Sequence, residues 1–468
     1  MTEITDRMED YALERVPDHE RTGWRQLSWN TAGIVTTLIQ LFFGALVTFA
    51  AGMRIAIVSG VFVTIVGAAL GSAVGHVGCR TGLSSTLMTR AHGLGTRGSL
   101  IASLIFGFMI IGFLAIENAL LYNGFLFFLG IPDTMLSKVV IYGALTLAWV
   151  LLTAFGFQEV ARVSSIVLVL FLGVLAWMLA RILAQSPHET STLWSFGAQL
   201  PVGVREAMGI RSASDAYVFC INVLIGSSGA LALVDGDFGR YARRSRDIAL
   251  AAVIGNVSMS IGMLIVGGIV MYAGFDQVAH YFEQTRGLDA ADARAMALVS
   301  PSSVASTFII FGGVTGAVLM VLAQSKAQVL NTYSGSLALT NLFDAAFGWR
   351  PGRVTFVVLA NLIGLVMLYG KLLALVNSWI TILGVLTTSL AGVIAADYFI
   401  VERGRRQSPS TERRPEAVNW AGVVTIIAGT GLAHYVLREV IRIEFFTSLL
   451  ASLTLYPLLR LTVLRAKR

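Results

Sequence analysis

Charged residues are scarce in this sequence. Asp, Glu, Lys and Arg make up 13% of its 468 residues, against roughly 25% in soluble domains. Hydrophobic residues make up 56%, and the mean hydropathy is +0.75. A soluble reading would have to bury stretches such as 55–73 and 254–273 as core helices. They are too long and too poor in charge, which excludes it. Cysteine is nearly absent too: Cys79 falls near the edge of an apolar run and Cys220 inside another, so neither a disulfide nor redox chemistry is expected. No CxxC pair, HExxH or nucleophile elbow occurs, which leaves no enzymatic constellation. The first 25 residues lack an apolar h-region, so no cleavable signal peptide is expected.

What remains is an all-α polytopic membrane pattern of about twelve apolar spans: 28–51, 55–77, 99–122, 139–155, 163–183, 216–234, 248–273, 304–326, 354–369, 373–394, 418–436 and 446–464. The net charge of +7 does not point to nucleic acid, because the arginines cluster in short loops between spans. Arg80, Arg90, Arg97, Arg162, Arg240, Arg243, Arg244, Arg350, Arg353, Arg403 and Arg405 fall on one side, which places both termini in the cytoplasm of an inner or plasma membrane. The expected organisation is a cytoplasmic segment 1–27, a five-span block 28–184, an outer connection 185–214 and a second block 215–399. A polar linker 400–417 and two further spans in 418–468 complete it. Residues 282–300 suit a short outer amphipathic helix.

Two spans interrupt themselves at corresponding places. Thr31-Ala32-Gly33 lies in span 1 and Gly226-Ser227-Ser228-Gly229 in span 6, each opening one block. Broken helices at matching positions of two halves mark the substrate site of a secondary transporter, because unwound backbone is tolerated only where it faces protein or a polar cavity. Gly33 and Gly226–Gly229 are therefore expected to flank one midplane cavity. By contrast, Gly67, Gly71, Gly75 and Gly78 form a small-residue stripe suited to close helix packing. Gly93-Leu-Gly-Thr-Arg-Gly98 fits GxGxxG but runs into a membrane helix without a βαβ unit, so no nucleotide is expected. The six histidines sit at span ends, among them His92, or in loops, and no metal is expected.

Intramembrane charges each cost at least ~2.5–3.5 kcal/mol at a helix centre and so demand a reason. Glu117 lies four residues after Phe113, which puts ring and carboxylate on one helix face. It is either a structural carboxylate or a group for substrate or protons. Lys326 ends a long apolar run and either snorkels to headgroups or projects toward Gly33, Thr36 and Thr37. Asp235 and Asp237 close span 6 facing Arg240 and Arg243, an arrangement suited to a gate or anchor.

Arg80-Thr-Gly-Leu-Ser-Ser-Thr, Gly226-Ser227, Asp237-Phe-Gly-Arg240-Tyr241, Asn331-Thr-Tyr333-Ser334, Ala396-Asp397-Tyr398-Phe399 and Val418-Asn419-Trp420 follow one another in a specific order and spacing. In these segments the chain resembles the nucleobase–cation symport-1 family of purine, cytosine and allantoin permeases, most closely the bacterial cytosine permease branch. The resemblance implies a LeuT-type five-plus-five inverted repeat with two extra C-terminal helices, and substrate held at the midplane between spans 1, 3, 6, 8 and 10. It places a family glycine on Gly33, a stacking aromatic on Phe113, a substrate-bonding glutamine on Glu117 and a serine on Ser227, with Asn331 also among the substrate-binding residues. Two departures follow. The second stacking aromatic is Ser228 here, which implies a one-sided stack, and the sodium-ligating hydroxyl residues fall on Lys326 and Ala327. Thr36, Thr37 and Lys326 then form the coupling site, with an ammonium where relatives hold sodium, which argues against sodium coupling. The lysine is either a permanent surrogate cation or a group that loses its proton in the cycle and couples transport to H+.

The function expected is alternating-access import of a nucleobase or related nitrogen heterocycle, without a cofactor. The alternative is another small nitrogenous solute, such as a guanidino or amine compound. The partners expected are this small molecule and the lipid bilayer. A channel would need pore-lining polar rings, and a sensor a soluble output domain that the sequence lacks.

Overall fold

The computed structural model describes residues 11–154, 157–186, 188–300, 303–369, 375–402 and 416–465. The arginine-bearing linker after span 10, Phe155 and the expected first residues of span 10 lie outside these. No β-strand occurs among the described residues. Apolar side chains cover the helices almost all round, as a membrane interior requires.

Seven single helices are long and apolar enough to cross a membrane: Met53–Thr81, Ser99–Leu129, Met135–Thr153, Val160–Gln185, Ala213–Gly239, Ser245–Gln284 and Ser378–Val401, which are spans 2 to 7 and span 10. Span 1 is a pair, Trp24–Val35 and Leu38–Ala51, bent by 66°. Arg353–Tyr369, Trp420–Val436 and Glu444–Leu461 stand at the positions of spans 9, 11 and 12. Span 8 differs from expectation. Ser303–Gly312 is a separate helix that turns at Gly313 (φ +53°), and the span proper is the 34-residue helix Val314–Phe347. The apolar run had concealed that turn, and the span was expected to end at Lys326, which left Gln328, Asn331 and Ser334 outside it. In the fold all of these polar groups are buried, and Gln324, Gln328 and Asn331 face span 3. The expected outer helix appears as Ala290–Val299, after span 7 has run on to Arg286.

The packing shows the two-fold repeat. Exchange spans 1–5 for 6–10 and the contacts map onto one another. Span 2 on span 6 becomes span 7 on span 1, span 5 on span 8 becomes span 10 on span 3, and span 1 on span 5 becomes span 6 on span 10. Span 2 with span 7, and span 3 with span 8, map onto themselves. Spans 11 and 12 stand outside this exchange and pack on span 10.

The glycine stripe of span 2 lets spans 6 and 7 approach it closely. A Cβ on Gly67 would lie 2.8 Å from the Ser228 side chain, and one on Gly78 would run into the Gly236 carbonyl of span 6. Backbone cannot move aside as a flexible side chain can. Gly78→Val is therefore expected to destabilise the protein by about 1–3 kcal/mol, read as a lowered melting temperature in detergent. An unchanged melt would show that spans 2 and 6 separate freely.

Candidate functional site

Span 1 breaks at Thr36–Thr37, three residues beyond the glycine expected to break it. Gly33 stays helical, and a Cβ there would come within 2.7 Å of the Ser164 hydroxyl of span 5, so its smallness serves packing. Thr36 leaves the helix at φ −93°, ψ 69°, and Thr37 is extended. The Thr36 hydroxyl donates back to the Ala32 carbonyl at 2.7 Å, the kind of threonine back-bond that bends helices.

Span 6 does not break. Ala213–Gly239 is one continuous helix through Gly226, Ser227, Ser228 and Gly229. Its glycines admit span 10 instead: a Cβ on Gly226 would lie 2.8 Å from the Ile380 carbonyl, and one on Gly229 would lie 2.8 Å from the Thr388 hydroxyl. Two helix breaks flanking one cavity are thus reduced to one. Ser228 also differs from expectation. Its hydroxyl donates to Asn256 of span 7 at 2.9 Å, on the face toward span 2. Ser227 faces span 1, where its hydroxyl accepts from Gln40 at 3.3 Å.

Lys326 is wholly buried in the middle of span 8, which excludes snorkelling. Its ammonium donates to the Thr36 carbonyl at the span 1 break and to the Ala323 carbonyl at 2.8 Å, and lies 4.2 Å over the Phe171 ring of span 5. Two carbonyls and a ring face satisfy an ammonium's three donors. Ser164 holds the same turn by donating to the Lys326 carbonyl at 3.0 Å.

Glu117 faces this place from span 3. Asn331 donates to its carboxylate at 3.2 Å, and Gln324 to its backbone carbonyl at 3.2 Å. The carboxylate is within electrostatic reach of Lys326 though not in ion-pair contact with it; the Thr37 hydroxyl lies beside the carboxylate without a well-formed hydrogen bond. A ladder continues the contact: Gln328 donates to Leu114 O at 3.0 Å and to Asn118 at 2.8 Å, and Trp149 of span 4 donates to Asn118 at 2.9 Å. Side chains 324, 328 and 331 share one helix face, as do 114, 117 and 118, so the two polar stripes satisfy each other inside an apolar bundle.

Phe113 is not alone. Trp379 of span 10 meets it edge-on, with ring centroids 4.9 Å apart and planes at 82°, and its buried indole N–H has no hydrogen-bond partner. Sequence reasoning missed Trp379 and Gln40. Trp379 carried a signal, an indole within an apolar span, but its partner lies on another helix.

The arginine-rich end is closed over this cluster. Buried Arg240 donates to the Tyr11 carbonyl at 3.1 Å, to the Tyr241 hydroxyl at 3.2 Å and to the Tyr333 hydroxyl of span 8. Asp237 accepts from the Ser85 amide at 2.7 Å. At the opposite end a cavity of about 580 Å³ opens among Phe49, Gln199, Tyr272, Phe275, Asp276 and Arg294. A separate space of about 10 Å³ lies among Phe42, Phe49 and Met271. Neither space is lined by Phe113, Glu117 or Trp379.

Residues 15–454 match the family described as permeases for cytosine/purines, uracil, thiamine and allantoin. The chain belongs to this family. It is a transporter, not an enzyme. Solved structures with the same fold include Mhp1, a nucleobase-cation-symport-1 family transporter, in a closed conformation with bromovinylhydantoin bound. That structure has 17% identity over 98% of both chains, with a TM-score of 0.70. Inward-facing Mhp1 follows, with 17% identity over 93% of this chain and 91% of that one and a TM-score of 0.63. A Na+-coupled sialic acid symporter in a substrate-bound outward-open state shares 14% identity over 97% and 94% of the chains, at a TM-score of 0.61. No curated protein matches the sequence. At these identities the structures show the fold, a LeuT-type inverted repeat in a multi-pass membrane protein.

Proposed function

We propose that this permease imports a neutral nitrogen heterocycle of the nucleobase class, held between the Phe113–Trp379 corner and the Glu117–Asn331 pair beside the span 1 break. The observation that carries this reading is the Glu117 carboxylate, buried at mid-membrane next to an aromatic corner. A carboxylate accepts from ring N–H and exocyclic amino groups, a carboxamide can meet either edge, and the aromatic faces accept a planar ring. Lys326 decides between this and the amine or guanidinium alternative. With the ammonium in electrostatic reach of Glu117, the pair carries no net charge, and an added cation would meet repulsion from Lys326 with little to offset it.

Competition uptake in proteoliposomes across cytosine, adenine, hypoxanthine, uracil, allantoin, agmatine and guanidine tests the reading. Nucleobases should compete and the two cations should not; the reverse order would replace the heterocycle with a cationic solute. Trp379→Ala should weaken competition by the best nucleobase ~3- to 10-fold, the worth of one aromatic contact, and Trp379→Phe by less. Unchanged competition by Trp379→Ala would remove it from the binding wall.

The reading extends to coupling. Lys326 ties spans 1 and 8 through the carbonyls of Thr36 and Ala323, which a bound cation could otherwise bridge. Transport is therefore sodium-independent, with the proton as candidate coupling ion. The positive-inside distribution of the arginines supports cytoplasmic termini. A cysteine placed near Tyr11 should be labelled by membrane-impermeant maleimide only after the cells are opened; labelling of intact cells would invert the topology.

A further inference from the structure

Three side chains far apart in sequence meet at the arginine-rich end of span 10. His92 lies just after the short helix Leu87–Arg90 that follows span 2, and Asp397 and Glu402 lie on or next to the π-helical turn Ala396–Val401 that closes span 10. The His92 Nδ1 atom is 3.4 Å from the Asp397 Oδ2 atom and 3.5 Å from the Glu402 Oε1 atom, and one ligand atom from each residue lies within 4.8 Å of the others. The imidazole side chain is 9% exposed, and its Nδ1 has no hydrogen-bond partner although it points between the two carboxylates.

We propose that His92, Asp397 and Glu402 form a binding site for a divalent metal ion of the zinc type, separate from the transport site. The donor set, one imidazole nitrogen and two carboxylate oxygens, is one that zinc takes when a fourth position stays open to water. Ligands about 2.0–2.2 Å from a tetrahedral ion lie about 3.4 Å from one another, and both nitrogen–oxygen separations already have that length. The surroundings brace the ligands. The other Asp397 oxygen accepts from the Tyr456 hydroxyl of span 12 at 2.6 Å, Asn419 donates to that same hydroxyl at 3.0 Å, and the Tyr398 ring packs edge-on against the imidazole at 5.4 Å. Such outer contacts orient metal ligands. Glu402 is the partly exposed member, at 21%, and gives the ion a way in from the aqueous end. A bound ion ties the segment after span 2 to the end of span 10.

The sequence concealed this because 305 positions separate His92 from Asp397 and no local spacing links them. Isothermal titration of ZnCl2 into tag-free, chelator-stripped full-length protein in detergent tests it, with MgCl2 as control. One zinc per protein is expected and no comparable binding of magnesium. His92→Ala should weaken zinc at least ~10-fold. Glu402→Gln, which leaves the buried pair intact, should also weaken it by ~10-fold or more, with an unchanged melting temperature without metal. Absence of zinc binding, or equal affinity in the wild type and in Glu402→Gln, overturns the site.

Discussion

Uptake of the preferred nucleobase into proteoliposomes is expected to continue within about two-fold when choline replaces sodium on both sides, and to fall at least ~30-fold in Lys326→Ala. The first half follows from the ammonium's place. It already occupies the carbonyls of Thr36 and Ala323 and is covered by the Phe171 ring, so no room is left for a metal cation among the same oxygens. The second half follows from what removal leaves behind. In the conformer that closes spans 1 and 8 together, the Thr36 carbonyl, freed at the break, loses its donor at a cost of about 1–3 kcal/mol, while the Ala323 carbonyl stays within its helix. Lys326→Ser provides the control for a misfolded variant. A hydroxyl can ligate sodium where an ammonium cannot, so this variant should recover part of the transport in sodium and none in choline. A steep sodium dependence of the wild type would overturn the assignment. Proton coupling adds a separate readout: substrate addition should move protons inward with the substrate, a signal lost in Lys326→Ala. Transport with no proton movement would make Lys326 a fixed surrogate cation in a uniporter.

The second large effect belongs to Glu117. Glu117→Gln should weaken substrates that donate N–H groups by roughly 10- to 100-fold, the worth of a charge-assisted hydrogen bond of about 1.5–3 kcal/mol. The substitution keeps the shape and the bond to Asn331 while removing the negative charge. The order of preference among nucleobases should therefore change while the amount of folded protein does not. Competition curves on the two proteins, compared at equal abundance, give the answer. If every accepted substrate behaves alike in both, Glu117 is a structural carboxylate that holds spans 3 and 8 together through Asn331 and Gln324.

The sites of these two effects were open to sequence reasoning for one reason: an ionisable residue in a lipid-spanning run is rare enough to stand out by itself. Phe113 and Glu117 could be assigned to one face from helical spacing alone. Partners on other helices could not. Trp379 beside Phe113, Gln40 against Ser227 and the Gln324–Gln328–Asn331 stripe on span 3 are all contacts between distant segments.

Hydropathy and motif order by themselves determined that the chain spans a membrane, where most spans fall and which family pattern it follows, because burial in lipid acts on each segment separately. The tertiary structure decided what the glycines and polar residues are for. Gly33, Gly226 and Gly229 look in sequence like helix breaks, and only the closeness of Ser164, Ile380 and Thr388 shows that they make room for neighbouring helices. The real break, at Thr36–Thr37, is stable because Lys326, 290 positions away, takes up the Thr36 carbonyl there. Local propensity is written along the chain; satisfaction of a freed backbone group depends on what the fold brings to it.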